Sequence, residues 1–210
     1  AVGVSTLDFK NKFVESGIVP EVIAALDPSV SFYAAYVAAN GSTTLLTPGT
    51  ALNPSAGEKP QPVEFSVEGL NNATNITAST RYLIYLLDAD APARNDPSSR
   101  NERHFLAGNY SVTAGVNSTV LPTAQRLTVP TSQFAPFTPF SEPQPQANTG
   151  VHRFIMALYT QPEKFNTAGF ESVGMDVSTT RWNLSAWRTQ LGLGPAIGAT
   201  FFTIDTGASN

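Results

Sequence analysis

The chain has 210 residues, 41% of them hydrophobic and 10% aromatic, enough to bury a sizeable core. Charged residues make up only 13% and the net charge is −4, which excludes the dense basic face that nucleic acids require and a polybasic membrane patch. There is no cysteine, hence no disulfide framework, and no apolar run approaches the roughly 18 residues of a membrane-spanning helix.

Ser5–Ala25 reads as helical, with Ser5 or Thr6 as cap and Phe9, Phe13 and Val14 at helical spacing. Gly17 and Pro20 divide it into two short helices. Val30–Ala39 has strand composition, Asn40-Gly41 is a hairpin turn, and Thr43–Leu46 is the partner strand. Pro48–Pro62 is a connection. In Val63–Val67 the alternation puts Val63, Phe65 and Val67 inward and Glu64, Ser66 and Glu68 outward. Asn71–Thr80 is a polar, exposed loop. Tyr82–Leu87 is apolar on both faces and is expected as a central strand.

His104–Val112 and Val120–Val129 supply further strands. Five prolines between Pro130 and Pro145 exclude regular structure there, and Phe134, Phe137 and Phe140 recur at intervals of three. These phenylalanines either anchor the loop to the core or form an apolar lip for an acyl chain or a peptide. Val151–Thr160 is a strong strand, Pro162–Ser172 holds a short helix, and a helix runs from Asn183 or Ser185 to Leu191, closed by Gly192. Thr200–Ile204 is the last strand, and Thr206–Asn210 is a loose tail. No repeat or linker splits the chain. We expect a mainly β, Greek-key β-sandwich with a few short peripheral α-helices, one domain over 1–210 with 1–29 as a helical extension packed on it.

The chemistry-bearing residues gather around Tyr82–Phe105. Asp88 and Asp90 follow the apolar run two residues apart, and side chains at i and i+2 of an extended chain share a face. A turn-rich loop then leads back to His104. Only one other histidine exists, His152. An isolated D-x-D is usually a strand-end turn whose acids accept from backbone N–H groups. Two acids and two histidines could also surround a divalent metal, which would make a metal-assisted hydrolase a third reading. No G-x-S-x-G elbow, H-E-x-x-H, P-loop or cysteine nucleophile is present. The run Gly192-Leu-Gly194-Pro-Ala-Ile-Gly198 follows a helix rather than a strand and reads as turn chemistry.

The segment Asp88–Phe105, DADAPARNDPSSRNERHF, together with Gly150-Val-His152-Arg153-Phe154, resembles the two signatures of the phosphatidylethanolamine-binding protein family, in the right order and spacing. The resemblance covers about Ser31 to Ile204. It implies a β-sandwich, a non-enzymatic activity, and a small pocket for a phosphate-like or carboxylate anion. Carried over, that pocket is Asp88, Asp90, Pro92, His104 and His152, with Gly150 and Phe154 beside them. No metal and no cofactor are implied. An acid-lined anion pocket calls for a relay, in which a carboxylate orients an imidazole whose other nitrogen meets the ligand. Arg153 could instead form an ion pair with Asp90 and leave binding to the histidines. The chain departs from the family at Ala89 (usually Pro), at Ser99 (often Tyr), at Glu102-Arg103 (usually aromatic-His), and in Pro143–Thr149, which lacks glycines. The expected partner is a small anion or phospholipid head group. The family's carboxypeptidase inhibitor raises a second reading, inhibition of a serine carboxypeptidase or other protease through the N-terminal segment.

Six N-x-[ST] sequons stand at Asn40, Asn72, Asn75, Asn109, Asn117 and Asn183, against about three expected by chance in a chain this rich in Ser and Thr. With the low charge and a first residue other than Met, they point to a secreted glycoprotein.

Overall fold

The computed structural model describes residues 1–163, 165 and 178–207. Ser5 caps α1 (Thr6–Glu15) by accepting from the Asp8 N–H at 3.1 Å, and Phe9 and Phe13 are buried beneath the helix. Val14 is 54% exposed, so it lies on the outer face and not on the apolar stripe read from the sequence. Gly17, with φ of 72°, ends the helix before a single distorted turn, α2 (Ile18–Glu21). The expected helix in Pro162–Ser172 falls largely outside the described residues.

Nine strands follow among the described residues: β1 (Ser31–Val37), β2 (Thr43–Leu46), β3 (Thr50–Leu52), β4 (Lys59–Glu68), β5 (Tyr82–Asp88), β6 (Glu102–Asn117), β7 (Gln125–Thr128), β8 (Val151–Thr160) and β9 (Gly198–Asp205). They hydrogen-bond in the order β2-β1-β4-β7-β6-β5-β8-β9-β3. The long β6 is the fold line. Its first half pairs with β5 and its second half, from Ser111, with β7. The order therefore splits into two layers, and the chain crosses between them from β2 to β3, back from β3 to β4, from β4 to β5, along β6 itself, and from β7 to β8. The main core lies between the layers, where Phe32, Phe65 and Val67 meet Ile84, Leu86, Phe154, Met156 and Phe202. The outer face of β5 and β8 carries Leu83, Tyr85, Ile155 and Tyr159. It is covered by Phe13, Ile18 and Trp182, and by Trp187 and Leu191 of α3 (Leu184–Leu191). Burial on both faces is why β5 reads as an unbroken apolar run. Asn183 caps α3 by accepting from Ala186 N–H at 2.9 Å, and Gly192 closes it at φ 63°.

Four details differ from the sequence reading. Pro48–Pro62 is more than a connection: it holds β3, which adds to β9 in parallel, and the first residues of β4. Val63 is 47% exposed while Glu64 and Ser66 are buried. The pairing with β1 jumps from Glu64 to Lys59 at this point, and the Glu64 carboxylate accepts from the Ser118 hydroxyl and from Thr119. Only Gln125–Thr128 of the expected Val120–Val129 strand is extended, because Leu121–Ala124 forms a turn. Thr206 and Gly207 are not loose, since the Thr206 N–H donates to Gly150 and the Gly207 carbonyl accepts from the Gly150 N–H.

The layers approach each other closely at Gly198. A Cβ there would stand 2.9 Å from the Phe32 Cβ and 3.1 Å from the Val30 carbonyl oxygen. Gly198→Ala is therefore expected to cost about 1–3 kcal/mol through overpacking, read as a lower midpoint in urea denaturation.

Candidate functional site

β5 ends at Asp88, which continues the inner-face row of Ile84 and Leu86 to the rim of the sandwich. The two Asp88 oxygens have separate tasks. Oδ1 accepts from the Asp90 N–H at 2.8 Å and shapes the turn. Oδ2 lies 2.7 Å from Nδ1 of His152, on the neighbouring β8. The second nitrogen of His152 meets the Thr149 hydroxyl at 2.8 Å, and the ring is 1% exposed. His152 is thus held at both nitrogens by the protein.

His104 reaches the same rim through a bulge. Leu86 pairs with Phe105 and Leu87 with Arg103, so His104 is the extra residue on β6. Phe105 joins the inner core, Arg103 packs outward between Phe137 and Trp182, and His104 also turns inward, edge-on to Phe154 at 5.7 Å. Nδ1–H of His104 donates to the Ser141 carbonyl at 2.9 Å. A carbonyl can only accept, so the tautomer is fixed and Nε2 is the atom left for a ligand. His152 stacks over the other side of the floor, 6.3 Å from Phe154, which itself stacks on Phe202 at 5.0 Å. Gly150, at φ 85°, holds the turn before β8, and Pro92 follows a cis peptide at the exposed rim.

Asp90 does not share this site. The chain is no longer extended after Asp88, so the shared face expected of residues i and i+2 is lost. The Asp90 carboxylate is fully buried on the other side, beneath α2. Arg153 meets it at 2.8 Å through both Nε and Nη2, Arg94 at 2.9 Å and Arg100 at 3.1 Å. Glu21 of α2 takes the far side, at 3.0 Å from Arg153 and 2.9 Å from Arg100. Burial alone would push the Asp90 carboxyl up, but the hydrogen bonds and charge of Arg153, with Arg94, outweigh it and hold the group below its ordinary range. Arg153 is held above its ordinary range by Asp90 and Glu21 against the opposing effect of burial. This is the structural ion pair that the sequence left open as an alternative.

Glu102 is a residue that sequence reasoning treated only as a departure. It pairs directly opposite Asp88 across β5 and β6, and its carboxylate, one Asp88 oxygen and a His104 nitrogen lie within 4.8 Å of one another. Spacing alone gave no signal for it, because its pairing with Asp88 follows from the register shift at His104.

Two cavities flank the rim. One of about 330 Å³ lies between Asn53–Ser55, Glu142–Ala147 and the end of β9. The other, about 240 Å³, is apolar and is lined by Leu86, Phe105, Tyr110, Phe134 and Phe140. Phe134 and Phe140 line this cavity, Phe140 also packs against the main core, and Phe137 lies against the Arg103 guanidinium. Of the sequon asparagines, Asn40, Asn72, Asn75, Asn117 and Asn183 are exposed. Asn109 is half-buried, with its side-chain oxygen accepting from Gln161 at 3.0 Å.

Fold and rim together define a class of β-sandwich protein, with two histidines and an aspartate gathered at strand ends. The chain belongs to the phosphatidylethanolamine-binding protein family, whose sequence pattern matches residues 42–202. Members of that family are in general non-enzymatic binding or inhibitor proteins. The chain is 27% identical over 194 residues to a 26 kDa secreted antigen of Toxocara canis, covering 90% of this chain and 62% of the antigen, so it spans less than two thirds of that relative. It is 26% identical over 157 residues to the Oryza sativa protein MOTHER of FT and TFL1 homolog 2, covering 75% and 72% of the two chains. Among solved structures it resembles carboxypeptidase Y inhibitor complexed with its cognate proteinase, at a TM-score of 0.70, 18% identity and 96% of each chain. It also resembles a phosphatidylethanolamine-binding protein of Plasmodium vivax, at 0.61, 15% identity, and 97% and 98% of the chains. No described helix is long and apolar enough to cross a membrane.

The Asp90 cluster makes a signed prediction. A carboxyl held below its unfolded value contributes fully above that value and loses its contribution as pH falls through the folded one. The protein should therefore lose stability below about pH 4. Asp90→Asn should cost about 3–5 kcal/mol at neutral pH and flatten that acid limb, measured by urea denaturation across pH.

Proposed function

We propose that the chain is a secreted, glycosylated binding protein that takes a small phosphate-type anion, such as the head group of phosphatidylethanolamine, at the Asp88–His104–His152 rim. One observation carries this reading. The two histidines come from signature segments far apart in sequence and stand against the same Phe154 ring, with His104 Nε2 turned to the ligand side. His104 is the direct contact, its Nε2 accepting from a protonated phosphate oxygen, and Asp88 and His152 form the frame. Gly150 and Pro92 shape the mouth, and Asp90 supports it from behind through Arg153. We treat residues 1–210 as one domain, with 1–29 as a helical extension. Secretion is supported by the secreted relative and by five exposed sequons; Asn72 and Asn75 line a groove of about 760 Å³ that includes Arg81 and Thr160, beyond the ends of β5 and β8 opposite the rim. Calorimetric titration with phosphorylethanolamine near pH 6.5 should show binding that His104→Ala abolishes. No binding by the unaltered protein would overturn the reading.

A second reading, inhibition of a serine carboxypeptidase, is favoured by one surface feature. Val2, Leu7 and Val14 are 86%, 63% and 54% exposed, and Leu7 and Val14 lie seven residues apart on one face of α1. An inhibition assay decides it: Leu7→Glu with Val14→Glu should abolish inhibition while leaving phosphorylethanolamine binding intact.

A further inference from the structure

We infer that Asp88, Glu102 and His104 form a binding site for a divalent cation of the zinc or manganese class. Three observations lead there. The first is an electrostatic conflict: Asp88 and Glu102 are direct cross-strand partners at the end of β5 and β6. Like charges in that position repel, and Asp88 is buried, where repulsion is strongest. Neighbouring cations are committed elsewhere. Arg94, Arg100 and Arg153 converge on Asp90, and Arg103 points to the outer face against Phe137 and Trp182. The Glu102 carboxylate has no hydrogen-bond or ion-pair partner among the described residues.

The second observation is His104 itself. The residue is 8% exposed, and its Nδ1–H is spent on the Ser141 carbonyl. Its Nε2 lone pair has no partner among the described residues. An imidazole with one N–H on a backbone carbonyl and the other nitrogen bare is the arrangement of a metal-ligating histidine. The third is that Asp88 is braced in the same manner, by the Asp90 N–H on one oxygen and His152 on the other, so each oxygen keeps a free lone pair. Two carboxylates and one imidazole suit zinc or manganese. The ligand atoms lie within 4.8 Å of one another, whereas bond lengths of about 2.1 Å in a tetrahedral site place them about 3.4 Å apart. Half-buried Glu102 has the freedom to close that gap. Three protein ligands leave a fourth position, and a phosphate oxygen fits it. The cation thereby converts an acid-lined rim into an anion receptor.

The test begins with the metal alone. Zinc titrated into the unaltered protein should bind one equivalent, and Glu102→Gln should weaken it at least tenfold. Because the Glu102 carboxylate has no hydrogen-bond or ion-pair partner among the described residues and stands opposite Asp88, the variant's zinc-free melting temperature should equal or exceed the parent's, with a zinc-induced rise only in the parent. Absence of binding for both zinc and manganese, or binding that Glu102→Gln leaves unchanged, overturns the site. Inorganic phosphate titrated with and without zinc then separates the two readings. Tighter phosphate binding with zinc supports both. One-equivalent zinc binding that Glu102→Gln weakens, without any phosphate binding, upholds the cation site and removes the head-group reading. Phosphate binding in a protein that takes no metal does the reverse.

Discussion

The structure depends on one buried carboxylate. Asp90 is fully excluded from solvent and faces three guanidinium groups. Isolated, such a charge would be intolerable; matched by bidentate Arg153 and bracketed by Glu21, it becomes a hub. Each partner comes from a different part of the chain: β8 through Arg153, the loop between β5 and β6 through Arg94 and Arg100, and α2 through Glu21. The hub thus fixes the N-terminal helices to the rim and fixes the loop that precedes His104. Arg153 also donates to the Ser16 carbonyl at 3.0 Å, which fastens the end of α1 directly. A hydrophobic contact could hold these elements together, but it would not set their angles; charged forks do so by geometry.

The two aspartates of one short motif therefore take different surroundings. Asp88 faces inward toward His152 and His104, while Asp90 faces outward and is held by guanidinium groups. The divide falls where β5 stops, since alternation of faces is a property of extended chain alone. Ala89, between them, is fully buried; its N–H donates to the Arg153 carbonyl at 3.0 Å and its carbonyl accepts from Arg100. A proline at this position would remove that N–H and its bond to β8. The departure from the family pattern at Ala89 is thus locally consistent, because the backbone here uses the hydrogen bond that proline lacks.

Much of this was legible in the sequence, for identifiable reasons. β5, β8 and α3 announce themselves because burial on both faces, or a clean cap at each end, leaves a direct imprint on residue type. The two signature segments bring His104, His152 and Asp88 to one rim, around Phe154. β3 was invisible because three residues of parallel edge pairing demand no composition of their own. Val63 misled because a break in strand pairing changes which residues face the core, and the burial of Glu64 depends on Ser118 and Thr119, more than fifty residues away. The importance of Glu102 could not be read from spacing, since its cross-strand pairing with Asp88 follows from a bulge at His104.

That bulge also explains why the rim can differ in chemistry from its relatives without a change of fold. One extra residue on β6 lets Phe105 stay in the core, Arg103 stay on the outer face, and His104 join the inner face beside Glu102. The sandwich needs only Phe105 and Arg103 to keep their places. The carboxylate of residue 102 adds no hydrogen bond or ion pair to the sandwich among the described residues. Glutamate there sets a negative charge opposite Asp88 across the strand pair, and the nearby guanidinium groups of Arg94, Arg100 and Arg153 are engaged with Asp90 instead.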